Sequence, residues 1–241
     1  MPDDLLHRLR RFHDDAFPLY EQRFKELVDD GQHPTTLFIG CSDSRLVPYL
    51  LTGAGPGELF LVRNVAALVP PYDGSAGYHG TAAAIEFGVL ALDVQRIIVC
   101  GHSHCGGIRA LYGGVPEAAP NLAAWLELAA EARLPVAEPG PEVLRRTEQR
   151  AIVLQLERLM DYPMVRERVE AARLSLHGWH YVIEDGEVHV FDVQRGSFVP
   201  ASRSEHSGTG PYRPAEPEAP IFNEIDGSYR RYTASCGPTS A

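Results

Sequence analysis

The chain reads as an α/β protein: a parallel-sheet core with flanking helices, an N-terminal helical arm and a C-terminal edge hairpin. Three observations predict this. Short apolar runs alternate with helical stretches between residues 36 and 112, and strand–helix–strand order implies parallel strands joined by crossovers. With 241 residues, 44% of them hydrophobic, the chain can bury one large core or two small ones. Cys41, His102 and Cys105 stand at or just past the ends of two apolar runs, and a parallel sheet collects its chemistry at the carboxyl ends of its strands.

Each element follows from its pattern. Leu5, Leu6, Leu9 and Phe12, then Tyr20, Phe24, Leu27 and Val28, repeat at helical spacing on either side of Pro18, which predicts one or two helices broken at the proline. Their apolar positions suit packing against the rest of the domain or a second subunit. Residues 36–40 and 58–62 read as strands flanking a short helix at 46–51, and the Ala-rich stretch 80–92 reads as a helix held within the core. Residues 96–101 form the next strand and 107–112 open a further helix. Helices are expected over 121–133, 142–160 and 164–173. Two strands, 174–183 and 187–193, are joined at Glu184-Asp185-Gly186 as a hairpin. The organisation is therefore an arm (1–33), an α/β domain that carries Cys41, His102 and Cys105 (34–200) and an irregular Pro/Gly/Ser-rich tail (201–241). Ile221, Phe222 and residues 229–232 could anchor that tail on a neighbour.

Composition excludes several classes. A formal net charge of −10 argues against a nucleic-acid partner. No apolar run approaches the ~20 residues of a membrane span. The start, Met1-Pro2-Asp3-Asp4, is acidic where a leader would be basic. Four cysteines do not make a disulfide framework in a chain of this size, and the His-x-x-Cys pair points to metal and a reducing compartment. The expected location is the cytoplasm.

Cys41 opens Cys41-Ser42-Asp43-Ser44-Arg45, and His102 and Cys105 lie in Gly101-His102-Ser103-His104-Cys105-Gly106-Gly107. Two thiolates and an imidazole suit Zn²⁺, and three protein ligands leave the fourth position open for water, as a hydrolytic or hydrating enzyme requires. Two buried thiols with a satisfied histidine is the plain alternative. For Asp43 and Arg45 the plain alternative is a surface ion pair of little worth.

The segment 32–114 strongly resembles the β-class carbonic anhydrases, above all their plant-type branch. Both quoted motifs match, as do Pro56-Gly57-Glu58-Leu59-Phe60-Leu61-Val62-Arg63-Asn64-Val65-Ala66 and Ala83-Ala84-Ile85-Glu86-Phe87, with a weaker likeness through Gln155-Leu156, Pro163 and Leu176-His177-Gly178-Trp179. The resemblance implies one zinc per chain on Cys41, His102 and Cys105, with Asp43 and Arg45 as a dyad beside it. It implies a substrate pocket built across the interface of a homodimer or higher homo-oligomer, with Gln32 as its polar residue and Phe60 and Val65 as apolar walls. Phe87 stands where many plant-type members carry tyrosine, and Ala67 where related chains often carry asparagine. The reaction implied is reversible hydration of carbon dioxide to bicarbonate and a proton through zinc-bound hydroxide.

From the residues upward, Arg45 can hold the Asp43 carboxylate by a bidentate pair, and Asp43 can orient the nucleophile or close the fourth metal position. The Gly106 amide at a helix start could hydrogen-bond bicarbonate. Two thiolates and one neutral imidazole leave the zinc site with net charge zero, which predicts better hydration at alkaline pH than a three-histidine site would show. His79 and His104 are candidate proton carriers, though ordinary surface or supporting roles fit them better. His177 and His180 read as packing or subunit contacts, and Cys100 as a small hydrophobe. The same site could instead hydrolyse carbonyl sulfide or carbon disulfide, or serve a non-catalytic zinc protein in which Asp43 never leaves the metal. A nucleic-acid-binding zinc module fails on charge and on the absence of a second ligand pair.

Overall fold

The apolar run Thr36–Cys41 (β1) is buried at all six positions, as expected for a strand covered on both faces. In the computed structural model, which describes residues 5–74, 77 and 79–203, β1 lies between Leu59–Asn64 (β2) and Arg96–His102 (β3), parallel to both. Ser175–Val182 (β4) adds in parallel to β3, and Glu187–Asp192 (β5) and Ser197–Pro200 (β6) follow antiparallel, giving the order β2-β1-β3-β4-β5-β6. The expected hairpin forms from β4 and β5, and β6 extends it to a three-strand meander. β6 has only four residues, Ser197-Phe198-Val199-Pro200, too few to show an alternation that sequence can register.

The connections place the site. β1 leads through Pro48–Thr52 (α3) to its neighbour β2 on one side. The path from β2 passes through Gly80–Glu86 (α4) and crosses β1 to reach β3, and the chain then moves on toward β4. The chain leaves the carboxyl ends of β1 and β3 in opposite directions, and such a switch point opens a crevice above the sheet. Cys41 ends β1 and His102 ends β3.

Gly106–Gly113 (α5), Pro120–Leu126 (α6), Pro141–Leu159 (α7) and Pro163–Glu170 (α8) complete the helices of the domain. The expected helix at 121–133 begins as α6 and tightens to 3₁₀ geometry over Glu127–Ala132. α7 packs closely on β3 and β4 because both strands present glycine to it. A Cβ at Gly101 would sit 2.9 Å from Ile152, and one at Gly178 would sit 3.0 Å from the same side chain.

The arm comprises Leu5–Arg11 (α1) and Phe17–Asp29 (α2), joined by a π-helical turn over Phe12–Ala16. Pro18 does not break it. The residue before it still bonds back into the π-helical turn, Phe17 N–H to the Phe12 carbonyl, so the helical run continues through the proline. The stretch 80–92 holds α4 and a π-helical turn over Phe87–Ala91. Its buried residues include Thr81 and Ile85 while Ala83 is exposed, so the expected Ala-rich core face is narrower than composition suggests. No described helix is long and apolar enough to cross a membrane. The expectations for the tail after residue 203, including its anchoring residues, lie outside the described residues.

Candidate metal centre

Cys41, His102 and Cys105 are buried together, and their ligating atoms all lie within 4.8 Å of one another. The two sulfurs are 4.0 Å apart. His102 is oriented by its own backbone. Its Nδ1 lies 2.8 Å from the Ser103 carbonyl oxygen, to which it donates, and this leaves the Nε2 lone pair facing the sulfurs. Nε2 is buried with no hydrogen-bond partner among the described residues. The two thiols also resist ionising together: contact with Cys105 lowers Cys41, while contact with Cys41 and then burial push Cys105 up. A divalent cation among these atoms resolves both problems, because it accepts the orphaned lone pair and lets both sulfurs be thiolates. The donor set therefore fits zinc.

Asp43 stands beside the cluster, with Oδ2 3.8 Å from His102 Nε2. Arg45 grips it with Nε on Oδ1 at 2.9 Å and Nη2 on Oδ2 at 2.8 Å, and the Arg45 backbone amide adds a third bond of 2.9 Å to Oδ1. These bonds hold the Asp43 carboxyl well below the usual carboxylate range. Arg45 Nη2 also donates to the His104 carbonyl at 3.1 Å, so one guanidinium links the two loops that carry the ligands.

The whole loop after β1 is organised by Arg63. Its guanidinium donates to the Cys41 carbonyl at 3.1 and 2.9 Å, to the Asp43 carbonyl at 2.7 Å and to the Leu46 carbonyl at 2.8 Å. On the other loop, Ser103 Oγ donates to Glu184 at 2.6 Å and accepts the Ile183 amide at 2.9 Å. The Cys105 amide donates to buried Glu148 at 3.1 Å.

With that geometry in view, comparison with known proteins is decisive. The sequence model of the Carbonic anhydrase family matches residues 36–188. The β-carbonic anhydrase CcaA superimposes with a TM-score of 0.76 at 37% identity, over 81% of this chain and 97% of that one. This chain belongs to the β-class carbonic anhydrases. A carbonic anhydrase from Pseudomonas aeruginosa is 40% identical over 208 residues, covering 84% of this chain and 92% of its own. One from Synechocystis sp. is 38% identical over 207 residues, covering 83% and 74%. A structure described as one of two tetrameric β-carbonic anhydrases from Sordaria macrospora matches with a TM-score of 0.66 at 28% identity, over 82% of this chain and all of that one.

The remaining expected site residues of this carbonic anhydrase chain are placed less tightly. The Phe60 and Phe87 rings lie 5.7 Å apart, centroid to centroid. Phe87 and Val65 stay 48% and 39% exposed in the single chain. Gly106 begins α5 directly after Cys105. Gln32 lies on the exposed loop between α2 and β1, and nothing within the described chain ties it to the cluster. Ala67 is buried with φ +56°, a left-handed conformation that costs an alanine roughly 1–2 kcal/mol and that asparagine adopts more readily. His104 faces Glu184 at 3.4 Å rather than the sulfurs. Cys100 is fully buried, as expected of a small hydrophobe.

Sequence reading missed Arg63 and Glu148 and took His180 for packing. Glu148 did leave a signal. It falls on the stripe Leu144, Glu148, Ala151, Ile152, Gln155, Leu156, Leu159 of α7, where a carboxylate is out of place unless it is bonded.

Proposed function

We propose that this chain catalyses the reversible hydration of carbon dioxide to bicarbonate and a proton, with one zinc ion held by Cys41, His102 and Cys105. The observation that carries the reading is the buried Cys-His-Cys cluster with the Arg45-held carboxylate of Asp43 at 3.8 Å from His102 Nε2. Zinc bound there would act as a Lewis acid that makes water a nucleophile near neutral pH.

The chain's own residues supply the rest. Asp43, fixed from one side by two guanidinium bonds, accepts a hydrogen bond from the attacking water and orients its lone pair. Arg45 keeps that carboxylate from competing for the cation. Phe60, Val65 and Phe87 offer an apolar wall that suits a small, weakly polar substrate and keeps bulk water out. The Gly106 amide, at the first turn of α5, has no intrahelical acceptor by position and can donate to the anionic product.

The half-exposed pocket walls support a homodimer or larger homo-oligomer as the working form. The arm supports it too: α1 and α2 bury no residue in the single chain, while Leu9 and Phe12 are 62% and 49% exposed. A reduced, cytoplasmic setting is part of the proposal, since the centre needs both of its thiols.

The test is elemental analysis of the purified protein with stopped-flow carbon dioxide hydration, and carbonyl sulfide hydrolysis run in parallel. One zinc per chain and rapid hydration are expected. Zinc with hydrolysis of carbonyl sulfide but no hydration would move the activity to that substrate, and zinc with neither reaction would make the centre structural.

A further inference from the structure

Behind the metal centre lie two buried ionisable side chains to which the proposed reaction assigns no part. Glu148 on α7 is 4% exposed and His180 on β4 is fully buried. Glu148 Oε1 accepts the Cys105 amide at 3.1 Å, and its Oε2 lies 3.1 Å from His180 Nε2. His180 Nδ1 has no hydrogen-bond partner among the described residues. That orphan assigns the tautomer. A proton on Nδ1 would be a buried donor with nothing to receive it, so the proton belongs on Nε2, donated to Glu148.

A buried carboxylate is costly unless its lone pairs are used, and here one oxygen is used on the backbone of a metal ligand. The turn that carries this ligand needs restraint. His104, immediately before Cys105, has φ +59°, a left-handed conformation unfavourable for a non-glycine residue. Cys105 itself caps α5 in an extended conformation with no side-chain cap bond. The turn is pinned at Ser103 through Glu184 and at the His104 carbonyl through Arg45. At Cys105 the pin is Glu148.

We propose that Glu148, itself held by His180, is a positioning residue for Cys105. It fixes the turn between β3 and α5 so that the Cys105 sulfur meets Cys41 Sγ and His102 Nε2 at metal-binding distance. This inference rests on the zinc reading given above. The supporting contact reaches the ligand's backbone rather than its side chain, so it acts on where the sulfur stands and not on its protonation.

The test measures zinc affinity by competition with a chromogenic chelator, and the d–d absorption of the Co²⁺-substituted protein, for the wild type, Glu148→Ala, Glu148→Gln and His180→Phe. Thermal melts serve as the folding control. Removing an outer partner of a metal ligand lowers affinity about 10–100-fold, and Glu148→Ala should show a loss of that size with a shifted cobalt spectrum. Glu148→Gln retains an acceptor for the Cys105 amide and should recover most of the affinity. His180→Phe leaves Glu148 unanchored and should fall between them. A folded Glu148→Ala protein with wild-type affinity and spectrum overturns the proposal, as does Glu148→Gln binding as weakly as the alanine variant. Should Glu148→Ala not fold, the other two decide: glutamine near wild type with phenylalanine weakened supports the assignment, and any other pattern rejects it. Absence of zinc binding in the wild type would instead defeat the reading of the centre, and this inference with it.

Discussion

Replacing Arg45 by alanine should slow carbon dioxide hydration while leaving zinc in place. Arg45 gives Asp43 three bonds, and the substitution removes the two from the guanidinium while keeping the backbone amide at 2.9 Å. A hydrogen bond to a charged group is worth about 1.5–3 kcal/mol. The Arg45 side chain is 47% exposed and that of Asp43 18%, so water replaces much of the loss, as at any half-exposed ion pair. The carboxylate stays ionised without Arg45 at neutral pH and stands 3.8 Å from His102 Nε2, so once freed it drifts toward the cation and blocks the nucleophile's place. kcat/KM should drop roughly tenfold or more. Stopped-flow hydration with a pH indicator reads the rate, and elemental analysis of the same sample reads zinc. Arg45→Lys should recover little, because an ammonium cannot reproduce the two parallel bonds. Unchanged turnover, or turnover lost together with the metal, would refute the reasoning. The first would show Asp43 needs no holding, and the second would show that the bond from Arg45 to the His104 carbonyl is what keeps the metal in place.

Three further outcomes are expected. Gly178→Ala pushes a methyl to 3.0 Å from Ile152 and 3.2 Å from Leu156, and such overpacking should destabilise the fold by about 1–3 kcal/mol in urea titration. A wild-type midpoint would show that α7 can retreat freely. His177 is held down to about 4 by burial and then by Arg96. Because its folded value lies below its unfolded one, the unfolded chain binds the extra proton, so the contribution is complete above about 6.5 and disappears as pH falls through about 4. The wild type should therefore lose up to about 3 kcal/mol more than His177→Phe between pH 7.5 and 4, and equal losses in equilibrium unfolding would remove His177 from the acid response. The double substitution Leu9→Asp/Phe12→Asp places charge on arm residues that are 62% and 49% exposed. It should shift the protein to monomer in light scattering coupled to size exclusion, and an unaltered mass would free the arm from assembly.

Cys41, His102 and Cys105 were legible because Cys41 and His102 end apolar runs and Cys105 follows three residues after the second. Three parallel strands, β1, β2 and β3, followed from the apolar runs at 36–40, 58–62 and 96–101, while the parallel docking of β4 on β3 left no such mark. The π-helical turn ahead of Pro18 and the short β6 were not legible, since each is decided by a few hydrogen bonds with no compositional trace. Gln32 shows the opposite limit: its expected role came from resemblance, and the single chain leaves it exposed, so any pocket it joins must be completed by another surface.

The supporting residues were hidden for a different reason. Arg63 acts on a carbonyl 22 residues away, and Glu148 acts on an amide 43 residues away. Each contact joins a side chain to backbone, and backbone has no residue identity for a motif to record. Ligand identity is thus written locally, while ligand placement depends on long-range bonds formed only once β1, β3 and α7 have packed. It follows that substitutions at the ligands should abolish metal binding outright, whereas substitutions at Arg63 or Glu148 should leave a folded protein whose centre is assembled but loosely set. A Co²⁺ spectrum separates these two classes where an activity assay alone would merge them.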